Sequence, residues 1–418
     1  MKICYCFISA VLLLCSCKEE ELLTWDPYEY PEDPEPPNEL IWQVPLHQDT
    51  LGCLATWPQI YQNAILCSGE EGWENPVRVF AVDTSGNLMW ESNAVFNENC
   101  SSISASVGTG AYQYQNMVAM LCNADPRVVN IQTGEVMWHY EVPGSGNHSP
   151  YMSGFGDQIF HAYADGPNPY TKSYIARANI YTGIWDTVFS IEMVDGYSAD
   201  LYPPGAWVDN NGDTIICFQN RQWRNPPYDG KVDLYAYNLT ADSLLWMYSD
   251  IDPDGNSSVF PPVYADGKVF FRGYFHVYGL DAKTGNLIWT WASPNVANDL
   301  LYTNTLVVDD KVLVKTTGPE LFALDPDNGS EIWHTSGFGE IPSELEAFDG
   351  MLYFSTEIDG KLNAVNIQNG SLEWTMTSPN HGQPTSSWAY FSRPVTIDPL
   401  LHRLYLTDFF YLLCIQLK

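Results

Sequence analysis

Apolar and polar positions alternate with a period of two through most of the chain. The runs are short, such as Val79-Phe80-Ala81-Val82 and Leu321-Phe322-Ala323-Leu324, and each ends at Asp, Asn or Gly. Such runs between turn residues predict strands joined by hairpins. One phrase recurs: Asx, two or three residues, Gly, three residues, Trp. It reads Asp83-Thr-Ser-Gly86-Asn-Leu-Met-Trp90, Asn130-Ile-Gln-Thr-Gly134-Glu-Val-Met-Trp138, Asp281-Ala-Lys-Thr-Gly285-Asn-Leu-Ile-Trp289, Asp325-Pro-Asp-Asn-Gly329-Ser-Glu-Ile-Trp333 and Asn366-Ile-Gln-Asn-Gly370-Ser-Leu-Glu-Trp374. Asx caps its own backbone and Gly accepts a positive φ, so each phrase predicts a hairpin whose second strand carries the Trp.

Two degenerate copies fill the gaps: Tyr181 to Phe189 puts Phe where Trp is expected, and Asn238 to Trp246 has lost its Gly. With Trp42 the anchors number eight, spaced 41 to 57 residues apart. Between them lies a second series of eight hairpins, often opened by Pro, from Pro58 to Leu66 through Pro262 to Phe270 and on to Pro394 to Tyr405. Interleaving the two series gives four strands per unit and predicts an all-β fold, an eight-bladed β-propeller with four antiparallel strands per blade. The final unit ends at Tyr411-Leu-Leu-Cys-Ile-Gln-Leu417 without a Trp strand, while an orphan strand, Glu39-Leu-Ile-Trp42-Gln-Val44, opens the first. The N-terminal strand is therefore expected to close the ring.

The repeat resembles that of the pyrroloquinoline-quinone-type propeller family, whose blades end in Ala-x-Asp-x-x-Thr-Gly-x-x-x-Trp, and the resemblance covers nearly all of residues 39 to 418. Size, blade number and N-terminus look most like the BamB-type outer-membrane assembly lipoproteins. That resemblance implies a non-enzymatic scaffold that binds a protein partner, such as assembling outer-membrane proteins caught by strand addition at blade edges. Quinone-dependent dehydrogenases of the same family stack their cofactor on a disulfide between adjacent Cys and hold calcium with carboxylates and an Asn. This chain contains no Cys-Cys pair. No enzyme activity, catalytic residue or cofactor is expected, a quinoprotein enzyme being the alternative from another class.

Charge narrows the partners. Against 18 Lys and Arg stand 51 Asp and Glu, a net charge of −33, which leaves no electrostatic footprint for a phosphate backbone. Residues 1–16 read as a signal peptide: Lys2, an apolar stretch from Ile3 to Leu14, then Leu14-Cys15-Ser16-Cys17, similar to a bacterial lipobox. Cleavage before Cys17 would leave a lipidated thiol and hence an acyl anchor in the outer membrane. Lys18-Glu19-Glu20-Glu21 looks like an export signal to the cell surface, with the periplasmic face as the alternative. Residues 17–38 form an acidic, Pro-rich tether, reaching some 60 Å at about 3.1 Å per residue. A monomer is expected.

Asp252-Pro-Asp254-Gly-Asn256 and Asp325-Pro-Asp327-Asn328 have tight-turn composition without the distant Glu of a calcium loop, so no metal is expected. His-Glu-x-x-His, Gly-x-Ser-x-Gly and phosphate-loop motifs are missing from the sequence. Partner-binding candidates fall in two groups. Trp57, Tyr202, Phe260, Trp388 and Phe391 precede the Pro-opened hairpins, where a ring of aromatics round the channel mouth is expected to take a peptide, a hydrophobic tail or a sugar face. The second group is the long loop between Gln219 and Lys231, whose Arg221, Trp223, Arg224 and Tyr228 make the densest basic and aromatic cluster of an acidic chain. A surface-exposed binder of glycan or protein is thus the alternative within the scaffold class.

Overall fold

The computed structural model describes residues 38–46, 54–55, 57–70, 78–92, 111–122, 125–141, 148–165, 170–224, 229–252, 258–294, 300–301, 303–383, 386 and 389–417. The signal peptide, Cys17, the tether through residue 37, Tyr228 and Trp388 lie outside them. Among the described residues the strands form eight antiparallel sheets, so the chain is an all-β, eight-bladed propeller. Seven sheets have four strands. Blade five is representative: Val263–Ala265 innermost, then Lys268–Arg272, His276–Asp281 and Leu287–Ala292 at the perimeter. Blade one counts five strands because its inner strand is split into Leu54–Ala55 and Gln59–Tyr61, both paired with Ala64–Glu70.

Closure is as expected. Glu39–Pro45 pairs antiparallel with Tyr411–Gln416 as the outermost strand of blade eight, from Glu39 opposite Gln416 to Pro45 opposite Tyr411. The Leu46 N–H extends the ladder to the Phe410 carbonyl at 2.8 Å.

The core lies in the seams between blades. Phe270, Val277 and Trp289 of blade five, for example, pack against Val312, Val314, Phe322 and Leu324 of blade six. In six of the eight seams the anchor Trp acts as a clasp. Its indole N–H donates to a backbone carbonyl in the next blade's hairpin, Trp42 to Thr84 at 3.0 Å, Trp90 to Ile131 at 2.7 Å, Trp246 to Ala282 at 2.9 Å and Trp289 to Pro326 at 3.0 Å. The same ring lies on the hairpin Gly: a Cβ at Gly329 (φ +71°) would stand 2.6 Å from the Trp289 ring, and one at Gly285 2.5 Å from that of Trp246. Gly is thus required twice, by backbone conformation and by the preceding blade's indole.

This pairing explains both degenerate repeats as one event. Blade three keeps Gly183 because Trp138 of blade two lies on it and bonds to Ile180 at 2.8 Å. Its own anchor is Phe189, whose ring meets Tyr237 of blade four at 5.5 Å, and there the hairpin carries Asp242 (φ 50°) in place of Gly. A missing indole and a missing Gly face each other across a single seam.

Candidate functional site

In blades four, six and seven the lead-in segment lies along the blade's second strand, through the bridges Leu201 to Asn220, Leu301 to Thr316 and Pro342 to Thr356. This placement corrects the mouth ring. Aromatics before the inner strand are folded inward: Phe391 is fully buried in the seam among Tyr353, Val395 and Leu404, while Phe260 (6 % exposed) lies beneath the Arg272 guanidinium of its own blade at 5.2 Å. Tyr202 (7 % exposed) packs near the Arg221 guanidinium at 5.9 Å, its N–H bonded to the Gln219 carbonyl at 3.1 Å. Of the described four, Trp57 lines a cavity.

The expected loop of blade four is largely strand. Thr214–Arg224 and Asp229–Asn238 stay in register to the pair Arg224 and Asp229, making a long hairpin arm. The lead-in adds to it through Ser198 N–H to the Trp223 carbonyl at 2.9 Å and Arg221 N–H to the Asp200 carbonyl at 2.9 Å. Burial pushes the Asp200 carboxyl up to about 6, with the Arg221 charge pulling it back. Near the tip Arg224 and Lys231 both stand over the Tyr197 ring, at 4.5 and 5.1 Å, and Arg224 pairs with Asp229 at 3.0 Å. The structure therefore brings Arg221, Trp223 and Arg224 together on one arm, with Arg224 held by Tyr197 and Asp229 and Arg221 near Tyr202 and Asp200.

A cavity of about 510 Å³ is enclosed by the inner strands of blades seven, eight, one and two. Register puts Glu346, Thr396, Gln59 and Tyr112 at equivalent positions of these strands, and all four line it together with Trp57, Gln113 and Phe348. The wall's donors are spent on backbone. Trp57 Nε1–H goes to the Val395 carbonyl at 3.0 Å, the Gln59 amide to Pro58 at 3.1 Å, the Gln113 amide to Ile60 at 2.6 Å, Tyr112 OH to Gly156 at 2.9 Å and the Thr396 hydroxyl to Pro58. Burial, reinforced by the charge of Glu344, pushes the Glu346 carboxyl up to about 7. Glu344 itself is fully buried, both its carboxylate oxygens without a hydrogen-bond partner among the described residues, and sits at about 7 through burial, partly offset by Arg393 and Arg272.

The perimeter shows what sequence reasoning missed. All eight outer ladders shift register at the residue just before the anchor, so Ile41, Met89, Met137, Val188, Leu245, Ile288, Ile332 and Glu373 are bulge residues. Six of these are large aliphatics exposed by 37 to 45 %. The signal was legible: two consecutive apolar residues at the Trp break the alternation, which a bulge absorbs by turning the extra side chain outward.

These features define an eight-bladed β-propeller of four-stranded antiparallel blades. Residues 276–393 match the family model described as outer membrane protein assembly factor BamB. Among solved structures, the fold is similar to BamB from Moraxella catarrhalis, at 15 % identity and a TM-score of 0.58 over 91 % of this chain and 98 % of that one. It is similar also to the quinohemoprotein alcohol dehydrogenase of Comamonas testosteroni, at 12 % identity and a TM-score of 0.60 over 90 % of this chain and 76 % of that one. Among curated relatives, tetrathionate hydrolase of Acidithiobacillus ferrooxidans is 24 % identical over 185 residues, 36 % of this chain and 35 % of its own. Quinoprotein ethanol dehydrogenase of Pseudomonas putida is 29 % identical over 131 residues, 30 % of this chain and 21 % of its own. The chain thus spans about a third or less of these curated relatives.

The residues present do not fit a pyrroloquinoline quinone in the cavity. That cofactor is a tricarboxylate and needs cations, whereas the described residues lining the cavity include no Lys, Arg or His and do include the half-buried Glu346 carboxylate. Among the described residues no cluster of three or more His, Cys, Asp or Glu could hold a metal.

Proposed function

We propose that this protein is a non-enzymatic binding scaffold, anchored to the outer membrane by lipid on Cys17, that engages an extended protein segment at its perimeter. The observation that supports it most is the set of bulged, exposed aliphatics on open outer strands: Ile41, Met89, Met137, Leu245, Ile288 and Ile332. An outer strand offers unpaired backbone groups, and aliphatic side chains beside them suit the alternating residues of an added β-strand. The BamB-type likeness points to an envelope protein as the source of that strand. The arm residues Trp223 and Arg224, with Tyr228 beyond them, are a second contact on the same partner. Anisotropy of a labelled peptide with outer-membrane strand alternation would test this: Ile288→Lys with Ile332→Lys should weaken binding about tenfold, and unchanged binding would sink the reading. Protease treatment of intact cells distinguishes surface display, in which the propeller is clipped, from a periplasmic orientation.

Likeness to quinoprotein dehydrogenases favours one second reading, an enzyme. It predicts that the purified chain mixed with pyrroloquinoline quinone and calcium gains a bound-quinone absorbance, and the cavity, with Glu346 and no cation in its lining, predicts that it does not.

A further inference from the structure

We propose that the inner-strand cavity binds an organic cation, a primary ammonium or guanidinium carried on a flat or aliphatic body, with Glu346 as its counter-ion. This goes beyond the perimeter reading and involves none of its residues. Three observations converge. First, the one charged group in the wall is a carboxylate. The side-chain N–H and O–H groups of Trp57, Gln59, Tyr112, Gln113 and Thr396 all point at backbone carbonyls. Among the described residues no Lys, Arg or His lines the cavity, so the charge offered to a ligand is that of Glu346, beside the neutral backbone groups of the inner strands' free edges. A cation meets that charge and an anion would be repelled.

Second, among the described residues the Glu346 carboxylate makes no ion pair, and the charge of Glu344 raises the cost of ionising it. A bound cation would relieve a repulsion that the apo protein carries. Third, the rest of the wall is apolar and partly aromatic, with Trp57, Ile60, Tyr112, Phe348 and Val395 contributing. Aromatic faces attract organic cations, while a hydrated metal ion needs several oxygen ligands that this lining does not supply. A volume of about 510 Å³ suits a small organic molecule. The chain's net charge of −33 draws cations toward such a recess and away from anions.

Isothermal titration of the mature chain near pH 8, above the value of about 7 for Glu346, decides the matter. Phenethylamine serves as the free amine and Nα-acetyl-lysine methylamide as the mimic of a protein side chain, and the tighter of the two identifies the source. Either should bind, 2-phenylethanol should not, and Glu346→Gln should weaken the amine at least about tenfold while its melting curve shows it folded. Three results would overturn the proposal: no binding of either amine, equal binding of the neutral alcohol, or amine binding unaffected by Glu346→Gln. Calcium displacing the amine from the wild type would also overturn it, because the acidic group would then belong to a metal.

Discussion

At the scale of single residues, the repeat signature is a contract between neighbours rather than a local turn rule. Gly329 and Trp289 belong to different blades, yet a Cβ on the first would intrude to 2.6 Å from the ring of the second. Trp289→Ala removes a nearly buried indole and its hydrogen bond, and should cost about 3 to 5 kcal/mol. Gly329→Ala should cost more than the roughly 1 kcal/mol of left-handed backbone strain alone. In the Trp289→Ala background the excess should vanish, leaving only that strain, and denaturant unfolding of the four proteins of the cycle would show it. Additive costs would mean that the ring and the Gly do not meet.

At the scale of elements, strand alternation and turn chemistry made the hairpins legible, including all eight inner ones, because both are local properties of the chain. Non-local packing was not legible. Nothing near Phe391 or Phe260 in sequence shows that the lead-in segment turns inward, which is why aromatics expected at a channel mouth are buried. Likewise the stretch from Gln219 to Lys231, rich in polar residues, reads as a loop although Arg221 to Arg224 continue the ladder opposite Asp229 to Val232. The cavity escaped sequence reasoning for the same reason: Glu346 and Gln59 are 287 positions apart and meet only once the ring closes. For the arm, Arg224→Ala should leave the fold intact and cost less than about 1 kcal/mol by thermal melting, since its ion pair with Asp229 is exposed. A larger loss would mark the arm as part of the core.

For the whole molecule, the paired acids near the channel set a pH response. Glu344 and Glu346 sit at about 7 in the fold against an ordinary 4.5, so the folded state holds more protons than the unfolded one between those values. Stability from this source is full below the ordinary value, falls as pH rises through the window, and is lost above about 7. Glu346→Gln should therefore raise the melting temperature near pH 8 and change it little near pH 4. Equal effects at both would show that the carboxyl titrates normally. The joint between Glu39–Pro45 and Tyr411–Gln416 has its own reach. The first and last strands of the ring share one sheet, so a chain cut off short of its last strand has nowhere to seat its first. Folding is therefore all-or-none: until Tyr411–Gln416 has been made, both edges stay open to chaperones and to stray strands, and loss of either closing strand, a handful of residues, unzips the whole ring.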